Sequence, residues 1–380
     1  EKYRKLQGTY PVIFLSFAEI KQNNYNDAVE KIKRIICEVC QQFDFLKNWD
    51  GLTEIEKKNI SNISYNMSDV MAQDLIKNMS NYLSRYYGKK VIILLDEYDT
   101  PMQEAYVNGY WEELVAFTRS LFNSTFKTNP YLERAIMTGI TRVSKESIFS
   151  DLNNLKVITV TSDEYSKCFG FMEDEVFAAL DEQGLSSEKE KVKLWYDGFT
   201  FGDEKDVYNP WSIINFLDEK KYKTYWADSS SNGLVNELIR TGSAEIKKTM
   251  ETLMAGGTVE KNIDEQIVFE QLKTNKDAVW SLLLASGYLR VETFRTEGRL
   301  NKKIYSLKLT NYEVEQMFGT MIERWFGGAD VPYNEFINAM LNGDIESMNE
   351  YMNRVTRGVI SYFDTGKTPS DEEPERFYHG

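Results

Sequence analysis

A run of five aliphatic residues that ends in two adjacent carboxylates constrains this chain more than any other feature. Residues 91–99 read VIILLDEYD, so the apolar run leads directly into Asp96 and Glu97. A continuous apolar run of this length, β-branched at its start, predicts a strand buried on both faces of a parallel sheet. The two acids then lie at the carboxyl edge of the sheet, where open α/β folds bind ligands.

Two interpretations of Asp96 and Glu97 follow from this placement. In phosphoryl transfer, one carboxylate holds Mg²⁺, usually through water, and the next orients or deprotonates the attacking water. Alternatively, the two acids start a solvated turn that leads into Thr100 and Pro101. The length of the aliphatic run and the residues downstream favour a nucleotide-hydrolysis site.

Composition narrows the class of protein. The chain has 380 residues, 42% of them hydrophobic, which predicts two or three domains with a sizeable core. Its net charge of −14 disfavours nonspecific binding to nucleic acid or anionic membranes. No apolar stretch approaches the roughly 20 residues that span a bilayer, and the first residues are charged and polar, so we expect no membrane partner and no secretory signal.

Cysteine and histidine usage excludes several chemistries. Three cysteines are too few for a disulfide framework, and a reducing cytoplasm is the expected location. Cys37 and Cys40 form a C-x-x-C within an amphipathic helical pattern, which favours a buried helix face over metal or redox chemistry. Because His379 is the only histidine, Ser-His and Cys-His nucleophile systems are nearly excluded.

The order of elements predicts an α/β core followed by a mostly helical region. Strands alternate with helices in the first part of the chain, which argues for a parallel sheet. The strand candidates are residues 10–17, 91–95, 133–140 and 157–160. Beyond residue 171 helices dominate, interrupted by a hairpin-like pair of segments, GYLRVETF and KIYSLKL.

A second polar segment follows the third predicted strand. In a nucleotide-hydrolysing sheet, the strand beside the acid-tipped one commonly ends in a polar residue that contacts phosphate or the attacking water. Thr138 stands in that position, and Arg142 could supply positive charge to the transition state. Taken singly, Thr138 is equally well a strand cap, and Arg142 a partner of a nearby acid.

Five motifs in order over residues 91–217 resemble the bacterial predicted AAA-type ATPase family. They are VIILLDEYDTPM, AIMTGITRVSKESIFSDLNNL, CFGFMEDEV, WYDGFTFG and VYNPWSIINFL. Members usually pair an N-terminal ATPase with a C-terminal PD-(D/E)XK nuclease-like domain. The resemblance implies a P-loop NTPase core in which Asp96 coordinates metal, Glu97 is the catalytic Walker B carboxylate and Thr138 is a sensor. The resemblance leaves open whether Arg142 acts as a sensor residue or as an arginine finger.

The resemblance also implies ATP and Mg²⁺ as cofactors of the intact protein, with its own nuclease-like domain as a partner. However, the phosphate loop G-x-x-x-x-G-K-[ST] is absent from these 380 residues. The active-site residues of the nuclease-like domain are absent as well. We therefore expect the middle of a longer protein, inactive by itself; the alternative is a natural chain that has lost both active segments. Without the phosphate-loop strand, residues 133–140 and 157–160 would face a gap, which either an additional segment or direct pairing must fill.

Residues 290–308 form a basic segment in an acidic protein, with six basic residues against two acidic ones. Because the segment follows SLLLASGYL, it resembles the wing of a winged helix, and Arg295, Arg299, Lys302 and Lys303 are candidates for contacting DNA or RNA. A solvated hairpin is the alternative. The alternatives for an aromatic group are a base-stacking surface and core packing between the ATPase and helical parts, and core packing is favoured. The group comprises Trp195, Tyr196, Phe199, Phe201, Tyr208 and Trp211.

These observations predict four regions. Residues 1–170 form an AAA-like α/β core with an incomplete P-loop NTPase-type sheet, and residues 171–275 form a helical lid or linker. A winged-helix-like region follows at 276–365, and 366–380 form a linker to a nuclease-like domain. The expected function is an ATP-binding and hydrolysing module; the alternative is a non-catalytic scaffold or nucleic-acid-binding module.

Overall fold

The computed structural model describes most of the chain as two compact units. The described residues are 3–140, 152, 154–228, 233–264, 277–299, 302–327, 339–340 and 342–359. The first unit comprises residues 1–157 with 264–275, and the second comprises 158–263 with 276–380. A parallel sheet lies in the first unit, and two antiparallel sheets lie in the second.

The first unit alternates strands with helices along the chain, as the sequence predicts. Its described strands are β1 (Val12–Ser16), β2 (Val91–Asp96) and β3 (Leu132–Met137). Its described α-helices are α1 (Tyr25–Gln41), α2 (Glu54–Ser61), α3 (Asp69–Tyr87), α4 (Thr100–Asn108) and α5 (Trp111–Phe122), and a π-helical turn, Asn123–Lys127, continues α5.

The three strands form a parallel sheet in the order β1-β2-β3, with β2 in the centre. The register pairs Ser16 of β1 with Asp96 of β2, and Leu95 of β2 with Met137 of β3. The predicted parallel α/β core is therefore confirmed. The acid-tipped strand is the middle strand, so its carboxyl end is flanked on both sides.

One face of this sheet is covered by helices. Val91, Ile93 and Leu95 of β2 are fully buried on that face. Leu95 lines a small cavity of about 10 Å³ together with residues from α1, α3 and α5. Those helix residues are Ile36, Ile76 and Leu121. Burial of this apolar set is the main stabilising interaction of the unit.

The opposite face of the sheet is more open than the sequence predicts. Ile92 and Leu94 of β2 are only half-buried. Phe14 of β1 and Ile136 of β3, which align with Leu94 across the sheet, are each 54% exposed. Burial of β2 on both faces is thus confirmed for one face alone.

The predicted strand at residues 157–160 is wrong. This segment has irregular backbone that ends in a turn, and the side chains of Val157 and Ile158 are more than a third exposed. Direct pairing of this segment with β3 therefore does not occur. In the part of the chain that the structure describes, β3 pairs with β2 and with no further strand.

The second unit is mostly helical, as predicted. Its described α-helices are α6 (Glu173–Glu182), α7 (Lys189–Tyr196), α8 (Pro210–Glu219), α9 (Gly233–Arg240), α10 (Ala244–Met254), α11 (Ala278–Ala285), α12 (Tyr312–Gly327) and α13 (Ile345–Val359). Its described strands are β4 (Phe171–Met172), β5 (Phe199–Phe201), β6 (Glu204–Tyr208), β7 (Val259–Lys261), β8 (Leu289–Glu297) and β9 (Lys302–Leu309). The predicted hairpin is confirmed, because β8 and β9 pair antiparallel.

The structure tests two predictions about which side chains are buried. Cys37 and Cys40 are buried on the apolar face of α1, as expected of a structural C-x-x-C. Tyr196 and Tyr208 are fully buried in the core of the second unit, which confirms that they are core residues. Packing of this aromatic group against the ATPase part stays a prediction. Trp211 of the same aromatic group is 55% exposed, so it is not a core residue.

In the described residues, no helix combines the length and apolar character needed to cross a membrane.

Candidate functional site

The carboxyl ends of the three parallel strands bring three polar side chains to one edge of the sheet. Ser16 ends β1, Asp96 ends β2, and Thr138 follows directly after β3. Because parallel strands point in the same direction, these positions are neighbours across the sheet although they are far apart in the sequence. Asp96 and Thr138 are therefore neighbours at this edge.

Asp96 is held between two hydroxyl groups. Thr138 Oγ1 donates a hydrogen bond to Asp96 Oδ1 at 2.5 Å, and Ser16 Oγ donates to Asp96 Oδ2 at 3.5 Å. The backbone reinforces this arrangement, since Thr138 N donates to Leu95 O at 2.9 Å and Tyr98 N donates to Thr138 O at 3.0 Å. The Asp96 carboxylate therefore has a defined orientation at a half-exposed position.

Glu97 leaves the strand in an unusual backbone conformation. Its φ is +50°, in the left-handed region that non-glycine residues rarely adopt. Its side chain is exposed, and Thr100 Oγ1 donates to Glu97 Oε2 at 2.9 Å. Such strain is found at functional sites when the surrounding structure imposes it. Here the left-handed conformation of Glu97 turns the chain out of β2, and the Glu97 carboxylate lies at the start of α4.

Asp99 and Gly139 lie in close contact behind this edge. Asp99 is buried, and a Cβ atom added at Gly139 would lie 2.4 Å from Asp99 Oδ1. Glycine is therefore required at 139 if the loop after β3 is to approach the loop after β2. This contact fixes the position of Thr138, which precedes Gly139.

Ser16 is the site residue that the sequence reasoning did not identify. The signal was available, because Ser16 is the first polar residue after the apolar run of β1, as Asp96 is after that of β2. Arg142, the other predicted catalytic residue, lies outside the described residues. The predicted roles of Asp96, Glu97 and Thr138 stay predictions.

The donor set at this edge fits magnesium. Mg²⁺ prefers oxygen ligands and is commonly held by one or two carboxylates, with waters and substrate phosphates completing the octahedron. Asp96, with the Ser16 and Thr138 hydroxyls beside it, supplies such a partial set. Within the described residues there is no group of three or more His, Cys, Asp or Glu side chains that could hold a metal ion.

The basic segment of the second unit is partly neutralised. Arg295 of β8 forms an ion pair with Glu260 of β7. Lys303 of β9 lies with its Nζ 4.9 Å from the centre of the Phe294 ring, and Lys302 is exposed at the start of β9. Arg299 is exposed in the turn between the strands. Contact of these side chains with DNA or RNA stays a prediction.

Comparison with known proteins supports the resemblance to predicted AAA-type ATPases for the first part of the chain. Residues 1–149 match the family model described as predicted AAA-ATPase. An uncharacterized protein in the vnfD 5' region of Azotobacter chroococcum mcd 1 is 24% identical over 229 residues, which cover 60% of this chain and 42% of that relative. The chain thus spans less than half of the relative's length. No solved structure matches the chain.

Proposed function

Because residues 1–149 match the predicted AAA-ATPase family, we propose that the carboxyl edge of β1-β2-β3 is the metal- and water-handling half of an ATP-hydrolysing site. The observation that carries this proposal is the 2.5 Å hydrogen bond from Thr138 Oγ1 to Asp96 Oδ1 across two strands. It joins a carboxylate and a hydroxyl at the edge where phosphoryl-transfer sheets bind their ligands.

Each side chain has a distinct task in this proposal. Asp96 would hold Mg²⁺, with the Ser16 hydroxyl beside it. Bound Mg²⁺ would neutralise charge on the phosphate oxygens. Glu97 accepts a hydrogen bond from Thr100 and orients or deprotonates the attacking water. Thr138 senses the phosphate by exchanging its bond to Asp96 for one to the nucleotide or the attacking water.

The phosphate-binding half must come from a segment other than these 380 residues, since they contain no phosphate loop. The edge of β3 supports this part of the proposal. Within the described residues this edge has no partner strand. A strand that carries the phosphate loop would pair there and bring the loop next to Asp96 and Thr138.

The same proposal extends to the organisation of the intact protein. Residues 1–170 would form the AAA-like core with Arg142 as a further cationic residue, and 171–275 a lid or linker. The region 276–365 would be winged-helix-like, and 366–380 would lead to a nuclease-like domain that ATP turnover regulates.

The experiment uses the longest natural reading frame that contains these residues. ATP turnover and ATP binding are measured for the unmodified protein and for Glu97→Gln. We expect the substitution to abolish turnover while nucleotide binding persists. Glu112→Gln, the same chemical change at an exposed position of α5, is the matched control and should leave turnover unchanged. A protein that binds no nucleotide at millimolar concentration would instead favour the non-catalytic scaffold.

A further inference from the structure

A cavity in the second unit is independent of the sheet edge. It has a volume of about 200 Å³ and lies between the β5-β6 hairpin, the turn that precedes it, and the start of β8. Charged side chains of both signs line it, together with Thr200. The charged residues are Asp197, Lys205, Asp206, Arg290 and Glu292. A cavity of this size is larger than one water molecule or one ion requires.

Asp197 is the unusual residue of this cavity. It is only 9% exposed, and its Oδ1 has no hydrogen-bond partner among the described residues. The following residue, Gly198, passes so close to the chain that an added Cβ would lie 2.0 Å from the backbone oxygen of Thr310. The backbone next to Asp197 is therefore closely packed against Thr310. A buried carboxylate oxygen without a partner calls for a donor.

The charges around the cavity compensate Asp197 only in part. Glu292 is paired with Arg290, whose Nη2 lies 2.6 Å from Glu292 Oε1. Asp206 is paired with Lys193, whose Nζ lies 3.2 Å from Asp206 Oδ1. Among the ion pairs of the described residues, none includes Asp197. Burial, the neighbouring Asp206 carboxylate and a hydrogen bond with Asp206 raise the pKa of Asp197, although the Lys193 ammonium and the Gly198 N–H lower it.

The surroundings favour an organic cation over a metal ion. Lys205 and Arg290 line the same cavity, so a divalent ion, with twice the charge, would be repelled more strongly than a singly charged ammonium. A primary ammonium carries a single charge and three N–H donors, which suits the Asp197 and Asp206 carboxylates.

The other side of the cavity presents hydrogen-bond donors. Thr200 Oγ1 accepts from Val291 N at 3.2 Å, so its own proton is available for a further acceptor. Lys205 Nζ donates to the backbone oxygen of Glu292 at 3.4 Å and has two further N–H groups. Arg290 also has N–H groups beyond those that bind Glu292. These donors suit a carboxylate or carbonyl oxygen.

We propose that this cavity binds a small ligand of the amino-acid class, with its ammonium group between Asp197 and Asp206 and its carboxylate toward Thr200, Lys205 and Arg290. The site lies outside the region that matches the ATPase family, and it requires neither ATP nor Mg²⁺. An experiment on this site therefore tests it separately from the ATPase proposal.

The test is calorimetric titration of the full 380-residue chain with each of the common L-amino acids, and with n-butylammonium as a cation without an acceptor. We expect at least one amino acid to bind with a Kd below about 1 mM, and n-butylammonium to bind more weakly. Asp197→Asn, which keeps the shape of the side chain, should weaken binding at least about tenfold. Asp218→Asn, at an exposed position of α8, should have no effect.

A second variant keeps the test decisive if Asp197→Asn does not fold. Asp206 has a φ of +55°, a conformation that asparagine tolerates well, so Asp206→Asn should fold and should also weaken binding. Absence of binding by every amino acid would overturn the proposal, as would equal binding by the unmodified chain and Asp197→Asn. Equal affinity for n-butylammonium would overturn the assignment of the acceptor end.

Discussion

Thr138 Oγ1 donates a hydrogen bond to Asp96 Oδ1 at 2.5 Å, although 42 residues separate them in the chain. The bond links the ends of β2 and β3 and orients a carboxylate at the ligand-binding edge of the sheet. Backbone hydrogen bonds from Thr138 N to Leu95 O and from Tyr98 N to Thr138 O hold the two strand ends in the same register. The arrangement is thus built by the sheet and not by flexible side chains alone.

Thr138→Val should impair ATP turnover of the intact protein without unfolding it. Valine keeps the β-branched shape but removes the hydroxyl, and the lost hydrogen bond is exposed, so stability should change by less than about 1 kcal/mol. We expect turnover to fall at least about tenfold, because Asp96 loses its orienting donor. Thr293→Val, at an exposed position of β8, is the matched control. Unchanged turnover in Thr138→Val would remove Thr138 from the site.

Glu97→Gly should stabilise the chain while abolishing ATP turnover of the intact protein. A non-glycine residue at a φ of +50° costs about 1 kcal/mol or more, which glycine avoids. Lys220→Gly is the control, because Lys220 ends α8 at a φ of +54°. Chemical denaturation should show a similar gain for both variants, with turnover lost in Glu97→Gly only. Loss of stability in Glu97→Gly would contradict the strain argument.

Gly139→Ala should destabilise the first unit. The added methyl would lie 2.4 Å from Asp99 Oδ1 and 2.9 Å from Tyr98 Cε1, and both residues are buried. Overpacking of this kind costs about 1–3 kcal/mol. Gly319→Ala makes the same change in the interior of α12, where the methyl meets nothing within 4 Å. It should stabilise by up to about 1 kcal/mol, so denaturation midpoints should move in opposite directions.

Glu313 should be a structural acid of the second unit. Its Oε1 accepts from Trp226 N at 2.6 Å and from Ala227 N at 3.3 Å, and its Oε2 accepts from Ser212 Oγ at 2.8 Å. Glu313→Ala leaves these buried donors without an acceptor and should cost about 2–4 kcal/mol. Glu313→Gln keeps an acceptor for the backbone groups, and Ser212 can reverse its role, so its cost should be clearly smaller. Equal costs in denaturation would contradict this assignment.

Asp197 should make stability depend on pH. Burial and the Asp206 carboxylate raise the pKa of Asp197 to about 7 in the folded chain, whereas an unfolded aspartate has a pKa of about 3.9. The folded state therefore holds an extra proton between these values, and stability falls as the pH rises through that window. The charged groups that face this carboxylate include Lys193 and those that line the cavity.

Asp197→Asn removes this titration. In thermal unfolding at a series of pH values without added amino acids, the midpoint of Asp197→Asn should fall less than that of the unmodified chain between about pH 4 and pH 7. Above that range the variant should be the more stable protein. Identical pH profiles for the two proteins would show that Asp197 does not carry a raised pKa.

The local sequence pattern predicted an element correctly where apolar burial and periodicity indicate the same type of element. The acid-tipped strand, the helices around it, the β8-β9 hairpin and the buried cysteine face of α1 were all predicted from the sequence. Residues 157–160 show why pattern can fail. Their short apolar run has the composition of a buried strand, but a strand also needs a partner for its backbone groups, and a single segment carries no information about that partner.

The sequence by itself determined which residues end the apolar strands, and hence that Asp96, Glu97 and Thr138 are the polar groups available at the edge of an α/β sheet. Only the tertiary structure decided that Ser16 flanks Asp96, that Gly139 must lack a side chain beside Asp99, and that the buried Asp197 Oδ1 has no hydrogen-bond partner among the described residues. The physical reason is that strand order, close backbone approach and burial arise from contacts between residues distant in the chain. Sequence spacing records none of these contacts directly.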